Sequence, residues 1–110
     1  MTTESAFINI LRGFAKDPAA RGLLDDAAVV EVGDSCLIIT HDMMAEDVHF
    51  KSNANPADVA WKLVASNLSD LAAKGAFPIG VLLGFMLGDD DWDRAFAAGL
   101  EKVLGHYGVA

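Results

Sequence analysis

Residues 36–50 read CLIITHDMMAEDVHF, an apolar run that stops abruptly at acid and histidine. Leu37, Ile38 and Ile39 follow the turn signal Gly33-Asp34-Ser35 and are rich in β-branched side chains, so the run predicts a buried strand. Thr40, His41 and Asp42 fall at its C-terminal end. A carboxylate there can face a crevice while the sheet fixes its backbone, which is how a scaffold presents a metal or ligand group. Asp is equally a common turn residue, and the residues alone leave both readings of Asp42 open.

Working upstream, Ala27 to Val32 (AAVVEV) predicts another strand, and the intervening turn makes the two a hairpin. Asp25 and Asp26 at the start of the first strand and Asp42 at the end of the second then lie at one end of it. Pro18 to Leu24 is a loop of small residues. Before it, Glu4 to Lys16 places Phe7, Ile8, Ile10, Leu11 and Phe14 at spacings of three and four, an amphipathic packing helix ending before Asp17-Pro18.

Downstream, Met43 to Ala54 is a connecting loop carrying Glu46, Asp47, His49 and Asn53. Asn55-Pro56 starts a helix, Asn as cap and Pro at the first helical position, running to about Lys74 before Gly75. Val59, Leu63, Val64, Leu68 and Leu71 form its apolar face, and Asn67 and Asp70 flank that face one turn apart. A solvated Asp and Asn late in a helix is the ordinary reading; the functional one has Asp70 projecting into the same crevice as Asp26 and Asp42. Pro78 to Leu87 (PIGVLLGFML) predicts a third strand buried on both faces, with Gly80, Gly84 and Gly88 sharing one face open to close approach. Asp89 to Asp91 cap a last helix, with Phe96, Leu100, Val103, Leu104 and Tyr107 on one side. Gly108-Val109-Ala110 comes where a further strand would begin, so an excised domain is expected.

A chain of 110 residues with 53% hydrophobic residues is one domain with a real core. Sixteen acids against eight bases give a formal charge of −8, which argues against nucleic acid as a partner through a basic surface. No apolar stretch reaches the ~18 residues that span a membrane, and MTTESAF lacks the features of a secretion signal. The single cysteine, Cys36, reads as a small buried hydrophobe and offers no disulfide or thiolate metal site. A soluble, cytoplasmic chain is expected.

Three aspartates from three elements, without a cysteine cluster or a spaced histidine pair, form a hard oxygen donor set suited to magnesium. Magnesium usually means phosphates, yet neither GxxxxGK[ST] nor GxGxxG occurs. An acidic nucleotide site would neutralise phosphates through several metal ions held by carboxylates. Ser35 and Ser66 have no identifiable base, so nucleophilic catalysis finds no support.

Asp25-Asp26-Ala27-Ala28-Val29, Thr40-His41-Asp42-Met43 with His49-Phe50, Asn67-Leu68-Ser69-Asp70-Leu71-Ala72-Ala73, and Gly75-Ala76 before Pro78 resemble the N-terminal half of thiamine-monophosphate kinase. The wider superfamily includes aminoimidazole ribonucleotide synthetase, selenophosphate synthetase and the hydrogenase maturation dehydratase. The resemblance implies an α+β fold, an N-terminal AIR-synthetase-like (PurM-like) domain with a mixed β-sheet flanked by helices, whose strands join a partner's in a dimeric barrel. It implies ATP-dependent phosphorylation of thiamine monophosphate to thiamine diphosphate across several Mg2+ ions, with ATP as donor and a homodimer as the assembly. Asp26, Thr40, Asp42 and Asp70 would be magnesium ligands, with His41 in the same metal-binding turn, and His49 would contact the substrate. Asp25 would be a supporting or capping acid. Positioning and charge neutralisation carry most of phosphoryl transfer, so no acid or base need be found.

The sequence departs from the family pattern at His41, where a hydroxyl residue is usual; a backbone carbonyl ligand would survive that change. Leu24 and Asp47 stand where glycine is common. The family's later Gly-Gly-Asp motif and its C-terminal domain lie beyond Ala110, so residues 1–110 are expected to form the ATP/Mg-binding and dimerisation domain and to be inactive alone. The alternatives are another ATP-using enzyme of the superfamily and a purely structural dimerisation module.

Overall fold

The computed structural model describes residues 3–25, 27–44, 53–85 and 87–110. The chain forms two compact units, Met1–His41 and Asp42–Ala110.

In the first unit, α1 spans Glu4–Arg12, its start capped by the Thr3 hydroxyl, which accepts from the Ala6 N–H at 3.2 Å. It stops a turn earlier than the apolar spacing predicts. Gly13 ends it, and Phe7, Ile10 and Phe14 remain exposed. A short 3₁₀ helix, Pro18–Leu23, follows where a loop was expected. Its regularity is broken by three successive left-handed residues, Arg21 (φ 53°), Gly22 (φ 66°) and Leu23 (φ 53°). Glycine adopts that conformation freely, whereas each of the other two costs roughly 1–2 kcal/mol unless something holds it.

Strands β1 (Ala28–Val32) and β2 (Ser35–Ile39) pair antiparallel as predicted, with Ala28 opposite Ile39 and Val32 opposite Ser35. The two-residue loop places Gly33 at φ 59°, a value suited to glycine at the first position of a tight hairpin. The strand β2 is not buried, however: Leu37 and Ile39 are exposed, and so is Cys36, expected to be a small buried hydrophobe. A two-stranded ribbon has two faces, and too little of this unit packs on them to cover both.

The second unit is built on two long helices, α2 (Pro56–Ala73) and α3 (Asp90–Tyr107). Asn55 caps α2, its side chain accepting from the Ala57 N–H at 2.9 Å, and Pro56 takes the first helical position. Gly75 at φ 67° then lets Ala76 N–H reach the Leu71 carbonyl and close the helix end. For α3 the acids serve as caps: Asp89 accepts from Trp92 N–H at 2.8 Å, Asp93 accepts from Gly88 N–H at 2.8 Å, and Asp90 pairs with Arg94. The two helices pack on each other around Val59, Ala60, Leu63 and Phe96, with Trp92, Leu100, Met44 and Ala54 at the border. They come close at Gly99, where a β-carbon would lie 2.6 Å from Ala57 Cα.

The α+β class stands, and among the described residues its sheet is the β1–β2 pair alone. The third strand read over Pro78–Leu87 does not form among them. Val81 N–H donates to the Ala110 carbonyl at 3.2 Å, but no ladder follows, and a strand without a neighbour leaves its backbone groups to solvent. Instead of being buried on both faces, Leu82 is 97% and Leu87 78% exposed. A β-carbon on Gly80 would stand 3.7 Å from the Ala110 carbonyl oxygen and one on Gly88 3.6 Å from Asp93 Oδ1, while Gly84 has open space; none of the three is as tight as Gly99.

Candidate functional site

Asp26 and His49, two of the residues singled out from the sequence, lie outside the described residues. Thr40 and His41 follow directly on Ile39, at the open end of the hairpin, where Ala28 pairs with Ile39 and Ala27 precedes the ladder. The register therefore brings Ala27 and Thr40 to one end of the first unit; of the acids read as meeting there, Asp26 is not described and Asp42 belongs to the second unit. Thr40 is half-buried and His41 exposed.

Asp25 is engaged on both oxygens. Oδ2 accepts from Arg21 Nε at 2.9 Å, and Oδ1 accepts from the Ala27 N–H at 3.3 Å. The second contact is a local turn closure of the kind Asp favours.

In the second unit Asp42 is exposed and Asp70 is half-buried on α2. Its neighbour in sequence pattern, Asn67, donates its amide to the Leu63 carbonyl one turn back, at 2.9 Å, and so is occupied within the helix. A groove of about 390 Å³ lies along the second half of α2, lined by Ala65, Leu68, Ser69, Ala72, Pro78 and Tyr107. In the first unit a hollow of about 510 Å³ is lined by Asp17, Arg21, Val29 and Glu31 among others. Neither is bordered by Thr40, His41, Asp42 or Asp70.

Among the described residues no group of three or more histidine, cysteine or acidic side chains converges as a metal would require. What fits magnesium is the chemistry of the donors: hydroxyl and carboxylate oxygens on a strand end and a helix, with no sulfur among them. No described helix is long and apolar enough to cross a membrane.

The residue that sequence reading missed is Arg12. From the last turn of α1 its guanidinium donates through Nε to the Gly22 carbonyl and through Nη2 to the Leu23 carbonyl at 3.4 Å, while Nη1 donates to Asn9 Oδ1. The available signal was an arginine at a helix end followed by an Arg-Gly pair. Nothing in that pattern shows that the non-glycine neighbours would also be left-handed.

The family described as AIR synthase related protein, N-terminal domain, matches residues 24–110. The thiamine-monophosphate kinase of Haemophilus influenzae is 40% identical over 99 residues, covering 79% of this chain and 30% of that protein. That of Caulobacter vibrioides is 48% identical over 90 residues, covering 78% of this chain and 26% of that protein. The solved structure of AaThiL complexed with AMPPCP and TMP is similar with a TM-score of 0.82 at 27% identity, covering 96% of this chain and 34% of the other. The chain thus spans about a third or less of the length of these relatives.

Proposed function

Since the chain belongs to the AIR synthase related protein family, N-terminal domain, we propose that it acts as the N-terminal part of a thiamine-monophosphate kinase, transferring phosphate from ATP to thiamine monophosphate to give thiamine diphosphate. The observation that carries the reading is the likeness, over 96% of this chain, to a protein complexed with AMPPCP and TMP. The relatives named for that activity point the same way. On this reading residues 1–110 form the ATP- and magnesium-binding domain, and the rest of the activity belongs to the part of the relatives that the chain does not span. A cytoplasmic location accompanies it.

Asp26, Thr40, Asp42 and Asp70 would hold magnesium, with His41 offering its backbone carbonyl, and His49 would contact thiamine monophosphate. When bound, magnesium neutralises phosphate charge and sets donor and acceptor phosphates in line. The chain's own task is to supply fixed oxygens and to position the two phosphates, which is most of what this chemistry demands.

Calorimetric titration of ATP with magnesium tests the half-site. The unmodified chain is expected to bind only when magnesium is present, and Asp42→Asn/Asp70→Asn to bind at least roughly tenfold more weakly. Equal binding by the two proteins would sink the ligand assignment.

A homodimer belongs to the same proposal. Phe77, Ile79, Leu82 and Leu87 are exposed in a segment that has no strand partner among the described residues, an apolar stretch that a second copy would cover. Light scattering after chromatography is expected to give twice the chain mass, and Leu82→Lys to give the monomer. Leu82 is almost wholly exposed, so the lysine leaves the packing within one chain undisturbed. A monomer at high concentration from the unmodified chain would count against the dimer. A dimer without magnesium binding would favour a purely structural module.

A further inference from the structure

We infer that α1 is a strap that melts and re-forms as one piece, with Arg12 as its latch and the left-handed turn at Arg21 to Leu23 as the strained element that the latch holds.

A helix of nine residues falls short of the ~12–15 that hold together alone in water. α1 has no buried residue to make up the difference: Ile8 and Leu11 are half-buried, while Phe7, Ile10 and Phe14 are exposed. Among the described residues it packs chiefly on the 3₁₀ segment Pro18–Leu23. There the half-buried Arg12 guanidinium donates through Nε to the Gly22 carbonyl and through Nη2 to the Leu23 carbonyl. Its Nη1 donates back to Asn9 Oδ1 of the helix itself. One forked group thus joins helix to turn.

The turn gains by being held. Arg21 and Leu23, both at φ 53°, flank Gly22 at φ 66°, and non-glycine residues stay in that region only where their surroundings over-determine it. Without the fork, both return to the conformations that a side chain favours. Arg21 also donates to Asp25 Oδ2 at 2.9 Å and lines the hollow shared with Asp17, Val29 and Glu31. Melting of α1, relaxation of the turn and release of Arg21 from Asp25 are therefore one order-to-disorder transition.

Two kinds of substitution move that transition in opposite directions. A lysine at position 12 keeps the charge but cannot donate in a fork to two carbonyls at once, so Arg12→Lys should behave like Arg12→Ala. Leu23→Asn should do the reverse, because asparagine enters the left-handed region far more readily than leucine and takes strain out of the latched form.

Native-state amide hydrogen exchange on the unmodified chain and these three variants is the test. In the unmodified chain the amides of Ile8 to Arg12, and that of Leu24, which donates to the Arg21 carbonyl, are expected to exchange faster than Val30 and Leu37 of the hairpin, with one common dependence on low urea. Both Arg12 variants should speed the Ile8 to Arg12 and Leu24 amides roughly tenfold, the worth of about two hydrogen bonds. Leu23→Asn should slow the same amides roughly fivefold. Val30 and Leu37 should keep their rates throughout. Unchanged α1 amides in Arg12→Ala, or Arg12→Lys matching the unmodified chain, overturns the latch. Val30 and Leu37 rising together with α1 overturns the strap, since the helix would then open only with the whole unit. Leu24 staying protected while α1 opens, or exchange not slowed by Leu23→Asn, overturns the coupling to a strained turn.

Discussion

Phe96→Ala is expected to cost about 3–5 kcal/mol of stability, a large share of what a small domain possesses. Phe96 is 2% exposed and stands where the two long helices meet, against Val59, Ala60 and Leu63. Its ring lies 4.9 Å from that of Phe85 and 5.2 Å, nearly parallel, from that of Trp92. Truncation removes the buried ring, leaves a void that helices fixed at Gly99 cannot close, and ends both aromatic contacts. Urea unfolding followed by circular dichroism measures the loss. Phe96→Leu should retain more than half of the stability lost in the alanine variant, because much of the volume is kept. Arg94→Ala is the control: its pairing with Asp90 is solvent-exposed and contributes little. A loss below about 1 kcal/mol in Phe96→Ala would mean that the core is not centred on this ring.

Two glycines of α3 are expected to respond oppositely to the same substitution. A β-carbon on Gly99 would stand 2.6 Å from Ala57 Cα and 3.0 Å from the Ala57 carbonyl oxygen, both backbone atoms of α2. Neither can turn aside as a flexible side chain would, so the helices must separate. Overpacking costs about 1–3 kcal/mol; against the gain of up to about 1 kcal/mol that alanine brings to a helix interior, Gly99→Ala should lose a net of about 1–2 kcal/mol. Gly105 lies two turns on, in the same helix, with nothing within 4 Å of its would-be β-carbon. Gly105→Ala should therefore gain about 0.5–1 kcal/mol. Both values come from the same unfolding measurement, and a stabilised Gly99→Ala would show that the helices do not cross where described.

Much of this architecture was legible in the sequence because its signals are local. Gly33-Asp34 between two β-rich runs, Asn55-Pro56 before an apolar stripe, and Asp89 before another each act within four residues, and each appears where it was read. What failed were the readings that depend on neighbours distant in the chain. Hydrophobicity of residues 78–87 shows that the segment seeks cover, not that a strand lies beside it in this chain. The apolar run at Cys36 and Leu37 suggests burial on the same grounds, and both are exposed. The stripe of Phe96, Leu100 and Val103 marks the buried face of α3 but carries no sign that α2 comes close at Gly99 within it.

The candidate site was legible as a list of donor types and not as an arrangement. That Thr40 and Ala27 fall at one end of the hairpin follows from strand register, which sequence can supply. The grip of Arg12 on Gly22 and Leu23 does not follow, because it joins a helix end to two carbonyls in backbone conformations that no residue type announces.

The two-residue connection at Gly33-Asp34 also sets an order of events. A ladder closed by so short a loop forms in microseconds, from residues that lie next to one another. The long helices have no such advantage: α2 offers Val59, Ala60, Leu63 and Val64, and their cover arrives only with Phe96 and Val103. On a chain made from its N-terminus the hairpin can be complete while α2 still shows its apolar face, so the interval before α3 emerges is when this protein depends most on being kept from sticking to others.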